Sequence, residues 1–261
     1  MLTKRLIACF DIINKRVTKA VNFEDNIDVA PAEAMARNMY DAQIDELIFY
    51  DITASSEKRR IDIETVKNVA RHVFIPFTVG GGIKDLDDMY ETLKAGAEKI
   101  SVDSMAVRNP DIITQGACAF GSQCVVLSTQ VKRTGKTKSG FEVFIDGARL
   151  ATGIDAIEWI KRGADLGAGE ICLNSIDRDG TLAGYDTELM LAAQAAVNVP
   201  LIASGGAGEP SHLSDLFAQT EAHAAIISSM LYSPRLPRNF SVAELKAYLL
   251  SCGIPARPVR E

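Results

Sequence analysis

The sequence predicts a single α/β domain of the (β/α)8 TIM-barrel class, and three observations predict it. Eight short apolar runs alternate with eight segments of helical period, the pattern of a parallel sheet covered by helices. The length of 261 residues suits one such barrel, which typically takes about 250. The chain also repeats itself: Val79-Gly80-Gly81-Gly82 is answered by Ser204-Gly205-Gly206-Ala207, with Gly81 and Gly205 separated by 124 residues (205 − 81). Glu46 to Asp51 matches Glu170 to Ser175 at the same offset, and Lys99 to Ser104 matches Ala224 to Ser229 at 125. The single domain 1–261 therefore reads as two half-barrel repeats, roughly 1–120 and 121–261.

The first strand, 6–11, is the apolar run Leu6 to Phe10 closed by Asp11. The next three, 46–51, 76–80 and 99–103, are apolar runs ending in Asp51, Gly80 and Asp103. The second half supplies 123–130, 170–174, 200–204 and 224–228. Helical stretches follow each in turn, near 31–43, 62–72, 85–95, 109–119, 155–166, 186–196, 210–218 and 242–251. Two connections break the alternation. Phe141 to Ile145, Asp146-Gly147 and Ala148 to Leu150 read as a hairpin with a two-residue turn. The segment 12–30 is polar and aperiodic, and reads as a mobile lid.

A net charge of −6 and a pI near 5.2 argue against a nucleic-acid footprint. The basic cluster Lys132, Arg133, Lys136 and Lys138 reads as a solvated loop, and Trp159 as helix packing. Five cysteines, three of them in apolar strand-like runs, fit buried thiols in a reducing cytoplasm better than disulfides. With three histidines and no Cys-x-x-Cys, neither a metal site nor a cofactor is expected. The run Leu6 to Phe10 is too short for a signal peptide, so export and membrane insertion are not expected.

In a barrel of this kind the site is assembled at the carboxyl ends of the strands. Those positions here are Asp11, Asp51, Gly81, Gly82, Asp103, Ser104, Gln130, Asn174 to Gly180, Ser204, Gly205, Gly206, Ser228 and Ser229. Glycines there let backbone N–H groups approach an anion, so two glycine loops half a barrel apart imply two phosphates on one elongated ligand. Asp11 closes an apolar strand, a costly place for a carboxylate unless it moves protons or grips a polar substrate. Its repeat partner is Gln130, which hydrogen-bonds but does not titrate.

Lys4 to Asp11, Asp45 to Ser55, Val79 to Ile83, Gly121 to Cys124, Ser175 to Gly180 and Ile202 to Gly208 together resemble the cyclase subunit of imidazole glycerol phosphate synthase over essentially the whole chain. The resemblance implies a barrel that takes ammonia from a glutaminase partner and uses it on a ribulosyl-carboxamide nucleotide. It implies catalytic aspartates at the ends of strands one and five; Asp11 matches the first, and Gln130 stands where the second is expected. Asp103-Ser104 replaces the usual Asn followed by Thr or Ser in the first phosphate loop. A carboxylate facing a phosphate at about 5 Å would repel it by roughly 3 kcal/mol per pair of unit charges. The second phosphate loop, Asp179-Gly180 with Gly206 and Ser229, matches, as does Lys19 of the mobile first loop, although Ala20 follows it where glycine is usual. Asp51, Asn174, Asp177 and Ser204 complete the expected substrate contacts.

The resemblance further implies an ammonia gate from Arg5, Glu46, Lys99 and Glu170 at the strand starts, with Glu98 on the surface that meets the glutaminase. Cyclisation is expected to be impaired by Gln130 and Asp103. The main alternative is a cyclase-deficient paralogue that conducts ammonia and activates a glutaminase for another enzyme, such as one amidinating surface sugars. A single-chain sugar-phosphate isomerase on the same duplicated barrel would need both aspartates and no glutaminase. A non-catalytic binding barrel would show neither glutaminase activation nor phosphate-ligand binding.

Overall fold

The apolar run that opens the chain becomes β1 (Arg5–Ile13), which overshoots its barrel neighbours and turns back into β2 (Arg16–Val21) and β3 (Glu24–Pro31). In chain order there follow α1 (Ala32–Asp41), β4 (Glu46–Asp51), α2 (Ile63–Ala70), β5 (Phe77–Gly80), α3 (Leu86–Lys94) and β6 (Lys99–Val102). Then come α4 (Ser104–Arg108), α5 (Asp111–Phe120), β7 (Val125–Arg133), β8 (Phe141–Ile145), β9 (Leu150–Asp155), α6 (Ala156–Asp165) and β10 (Glu170–Ser175). The chain closes with α7 (Thr187–Gln194), β11 (Leu201–Ser204), α8 (Pro210–Gln219), β12 (Ala224–Ile226), α9 (Ser228–Tyr232) and α10 (Val242–Ser251). This computed structural model describes every residue except 1, 22–23, 55–56, 58, 234–236 and 261, and the side chains of 19–26 also lie outside it.

Eight strands pair in parallel in the ring β1-β4-β5-β6-β7-β10-β11-β12, and β12 returns to β1. This is the (β/α)8 barrel expected. The period-2 alternation of a strand divides each one between two cores. Leu6, Ala8 and Phe10 of β1 face the helices with Leu47 and Phe49 of β4 and Leu127 of β7. Ile7, Ile48, Val126, Cys172, Ile202, Ala224 and Ile226 form a separate cluster inside the ring. Phe49 joins the outer layer edge-on to Phe10 and Phe77, with ring centroids 5.2 and 4.7 Å away, each contact contributing about 0.5–1.5 kcal/mol beyond burial.

Side-chain caps set several helix starts. Asp62 accepts from the Glu64 and Thr65 amides ahead of α2, and Asp186 from the Leu189 amide ahead of α7, at the offset of 124 residues (186 − 62). Asp85 and Glu209, ahead of α3 and α8, keep the same spacing. So do α4 and α9, two five-residue helices that directly follow β6 and β12. Ser104 therefore corresponds to Ser228, one residue out from the sequence alignment, in which adjacent serines at 228 and 229 gave no unique register.

The segment expected to be an aperiodic lid is instead a β-ribbon, with Arg16–Ile13 and Thr18–Asp11 paired across β1 and β2. The β-branched Val17 and Thr18 are buried, while register shifts in the β2–β3 ladder explain why no clean alternation shows in the sequence. The second hairpin is present, but its turn spans four residues, 146–149, instead of the two expected, and the return strand begins at Leu150. Asp146, Gly147 and Ala148 all take positive φ there, which carries the chain round before pairing resumes at Ile145–Leu150. β7 runs on into it, so this ribbon has three strands. The basic cluster is exposed, and Trp159 is buried in the helix-facing core.

Candidate active site

Inward-facing side chains stack in tiers from the floor of the barrel to its crown, because each strand presents every second residue to the axis. β1 contributes Arg5, Ile7, Cys9 and Asp11 in ascending order, β10 contributes Glu170, Cys172 and Asn174, and β6 contributes Lys99 and Ser101.

The floor is a closed ring of alternating charge. Arg5 binds Glu46 at 2.6 Å and also binds Glu170; Lys99 binds Glu170 at 2.9 Å and Glu46 at 3.4 Å. Each cation thus touches both anions. Burial alone would raise the Glu170 carboxyl pKa, but Lys99 and Arg5 outweigh it and hold it below its ordinary value. Arg5 is likewise held above its own ordinary value: burial opposes this, and Glu170 and Glu46 more than compensate. The four residues expected to act as a gate are brought together. Glu98, exposed at the start of β6, accepts from the Phe77 amide at 2.8 Å.

Above the floor lies the apolar tier, then a neutral polar one. Tyr50 Oη lies 3.2 Å from Ser101 Oγ and 3.4 Å from Ser128 Oγ. Burial pushes the Cys172 thiol up to about 12 and keeps the Tyr50 phenol well above its ordinary value, so both are uncharged at neutral pH.

A cavity of about 800 Å³ opens from this tier to the crown, large for a small-molecule site. Asp11, Asp51, Gly81, Gly82, Asp103, Ser104, Gln130, Asn174, Asp179, Gly180, Ser204, Gly205, Gly206, Ser228 and Ser229 all line it. Gly81 and Gly205 hold φ of +86° and +93°, in the left-handed region, and both turn tightly over a strand-end carbonyl, of Asp51 and Ser175 respectively.

Several lining groups are already engaged. Asp51 accepts both terminal nitrogens of Arg59, at 2.5 and 2.7 Å. Ser228 Oγ donates to the Cys9 carbonyl at 2.7 Å and accepts from the Cys9 amide at 3.1 Å, fastening α9 to β1. Ser104 Oγ accepts from the Asp146 amide at 2.9 Å and so anchors the second ribbon over the rim. Asp177 is exposed, outside the cavity lining, and accepts from the Arg133 amide at 2.7 Å. Lys19 has its side chain outside the described residues.

Asp103, expected beside the first phosphate loop, lines the cavity and turns toward the barrel axis. The alternation of β6 continues one residue past its end, so Asp103 follows Lys99 and Ser101 inward. Its Oδ2 lies 3.4 Å from Gln130 Nε2, and its Oδ1 is shut away from solvent without a hydrogen-bond partner. Gln130 Oε1 accepts from Asn174 Nδ2 at 2.9 Å, and Asn174 Oδ1 accepts from Ser204 Oγ at 2.8 Å. A chain of four polar side chains therefore crosses the cavity wall from β11 to the end of β6.

Lys84, Arg108 and Arg149 also line the cavity and were not anticipated. Arg149 follows the hairpin turn, and its place over the crown becomes visible only once that ribbon folds back across the barrel. Among the described residues no three His, Cys, Asp or Glu converge as metal ligands, and no helix is long and apolar enough to cross a membrane.

Fold and site together define a (β/α)8 barrel with a polar crown cavity above a floor closed by paired charges. Residues 5–237 match the family model described as "Histidine biosynthesis protein". The chain is 52% identical over 260 residues to "Imidazole glycerol phosphate synthase subunit HisF" of Desulfatibacillum aliphaticivorans, covering 98% of both chains. The protein of that name from Desulfosudis oleivorans is also 52% identical, with 98% and 99% covered, and that from Syntrophobacter fumaroxidans 49%. The chain belongs to the histidine biosynthesis protein family, among these synthase cyclase subunits.

Proposed function

We propose that this chain is the cyclase subunit of a glutamine-dependent imidazole glycerol phosphate synthase, taking ammonia from a glutaminase docked beneath the floor, beside Glu98. The observation that carries this is the vertical arrangement: a closed ring of two cations and two anions below, neutral side chains in the middle, and a cavity lined by two glycine turns, at Gly81 and Gly205, above. A ring whose charges are mutually satisfied offers no unpaired charge to a passing ion, and the apolar tier above it penalises any ion by desolvation, so a small neutral amine is the species least hindered. The recurrence of caps, glycines and short helices at one spacing supports reading the domain as two half-barrels, 1–120 and 121–261.

In this reading Gly81, Gly82 and Ser104 face one phosphate, and Gly180, Gly205, Gly206 and Ser229 the other, with Asp179 at the rim of the latter. Lys19, Asp51, Asn174 and Ser204 position the body of the substrate, and Arg149 adds a cation over it. Asp11 transfers protons as ammonia adds, the C–N bond breaks and the ring closes. Position 130 has no proton to exchange, and unless another group supplies it, cyclisation runs slower by about 10²–10⁴-fold.

The test mixes the chain with its glutaminase and follows glutamine hydrolysis and nucleotide turnover separately. Both should rise together. A complete floor under an altered crown favours one second reading, an ammonia conduit and glutaminase activator for another acceptor. It predicts stimulated glutamine hydrolysis with no consumption of the nucleotide.

A further inference from the structure

We propose that Asp103 is the second proton-transfer group of this site, held over the cavity by the Gln130 amide and acting together with Asp11. The inference deepens the cyclase reading and rests on it.

The geometry is specific. Asp103 ends the inward row of β6, lines the cavity, and offers one carboxyl oxygen to Gln130 Nε2 at 3.4 Å while the other has no partner. Leaving a buried carboxyl oxygen unpaired costs stability, and a catalytic role is one reason for a fold to retain such a group. Gln130 has no freedom to flip, because Asn174 Nδ2 donates to its Oε1 at 2.9 Å, and Asn174 is fixed in turn by the Ser204 hydroxyl. The Gln130 NH2 is therefore aimed at Asp103. An amide donor there orients a carboxyl without competing for its proton, since an amide does not titrate.

The surroundings suit an acid that exchanges protons near neutrality. Burial pushes the Asp103 carboxyl up to about 7; the Gln130 hydrogen bond opposes this, Asp146 of the ribbon turn adds to it, and Arg108 of α4 opposes it. From β10, Cys172 faces the same space and is neutral. A catalytic acid is most effective when its pKa lies near the working pH.

The step balances. Ammonia forms a C–N bond to a substrate carbonyl carbon, giving a carbinolamine. Neutral Asp103 gives its proton to the hydroxyl oxygen as the C–O bond breaks, and that oxygen leaves as water with the bonding pair. The Asp103 carboxylate then takes a proton from the iminium nitrogen, so the group ends as it began and nothing is oxidised or reduced.

The experiment measures steady-state turnover of the ribulosyl-carboxamide nucleotide with an ammonium salt as nitrogen source, across neutral pH. The unaltered chain, Asp103→Asn and Asp103→Glu are compared. Asp103→Asn should lower kcat by about 10²-fold or more with little change in KM, and should abolish the fall in rate as pH rises through about 7. Asp103→Glu should restore the titrating limb and part of the rate. Thermal melts accompany each variant, and Asp103→Asn, which removes a buried charge without changing shape, should melt no lower than the unaltered chain. If Asp103→Asn keeps its rate and pH profile, or loses affinity and melting temperature with the limb intact, Asp103 is not the acid and the proposal falls while the cyclase reading stands. If the unaltered chain consumes no nucleotide under any condition yet stimulates glutamine hydrolysis, the cyclase reading falls and takes the proposal with it.

Discussion

At the scale of single residues, the crown is governed by which way one carboxyl points. Asp103 could begin a loop or end the inward row of β6, and its side chain keeps the phase of β6 and turns into the barrel. Nothing in the local sequence distinguishes the two, because strand phase at a terminus depends on where the backbone stops being extended. The consequence is measurable. A carboxyl that titrates near 7 when folded and near 4 when unfolded binds the extra proton in the native state, so its contribution is full below about pH 4 and is lost as pH rises through about 7. Urea unfolding should show stability falling across that window by about 4 kcal/mol, and Asp103→Asn should flatten the slope. Asp11 was legible for the opposite reason: a carboxylate closing an apolar run stands out in any register. Asp11→Asn should cut nucleotide turnover by about 10²–10⁴-fold while leaving glutamine hydrolysis in the complex intact, read by following the two products separately.

At the scale of elements, the barrel strands were readable because each is a short apolar run between helical segments, and the helices because their caps and periodicity agree. The first ribbon was not, since its pairing to β1 is a long-range event and its own alternation is broken by register shifts. The turns above β5 and β11 depend on glycine. Gly205→Ala places a methyl about 2.8 Å from the Ser175 carbonyl at a φ of +93°, and should cost about 1–3 kcal/mol in chemical denaturation while raising KM for the nucleotide. At the other end α10 is tied to the mouth of β4 by Lys246. Its Nζ lies 2.7 Å from Asp45 Oδ1 and from the Gln43 carbonyl, with Asp45 also accepting from the Leu6 amide at 2.9 Å. Lys246→Met would leave Asp45 buried without its cation, and should destabilise the fold by about 3–5 kcal/mol in the same assay.

At the scale of the whole molecule, the proposed function requires a closed base to be kept apart from an open top. Glu170 of the floor is held below its ordinary range by Lys99 and Arg5 against burial, so its stabilising contribution is present above the ordinary glutamate value and is lost only as pH falls through the lowered one. Lys99→Met leaves two carboxylates on one guanidinium, which opens the ring. Glutamine-driven cyclisation should then fall several-fold relative to ammonium-driven cyclisation, measured side by side, because nitrogen escapes before reaching the crown. The alternation of apolar runs with helical segments made the barrel legible from the sequence, but the way its two ends are isolated from each other needed the tiers of inward side chains to be seen.

The ribbons also change how the molecule meets others of its kind. A sheet closed into a cylinder presents no unpaired strand, yet among the described residues β3 bonds only to β2 and β9 only to β8, and so they restore two raw margins at the rim. Both are irregular: Pro31 ends the first, and the ladder beside the second slips between Glu142 and Phe144. Such interruptions spoil the template on which a foreign strand could zip, so that crowding is met by blunted borders where the catalytic rim would otherwise invite aggregation.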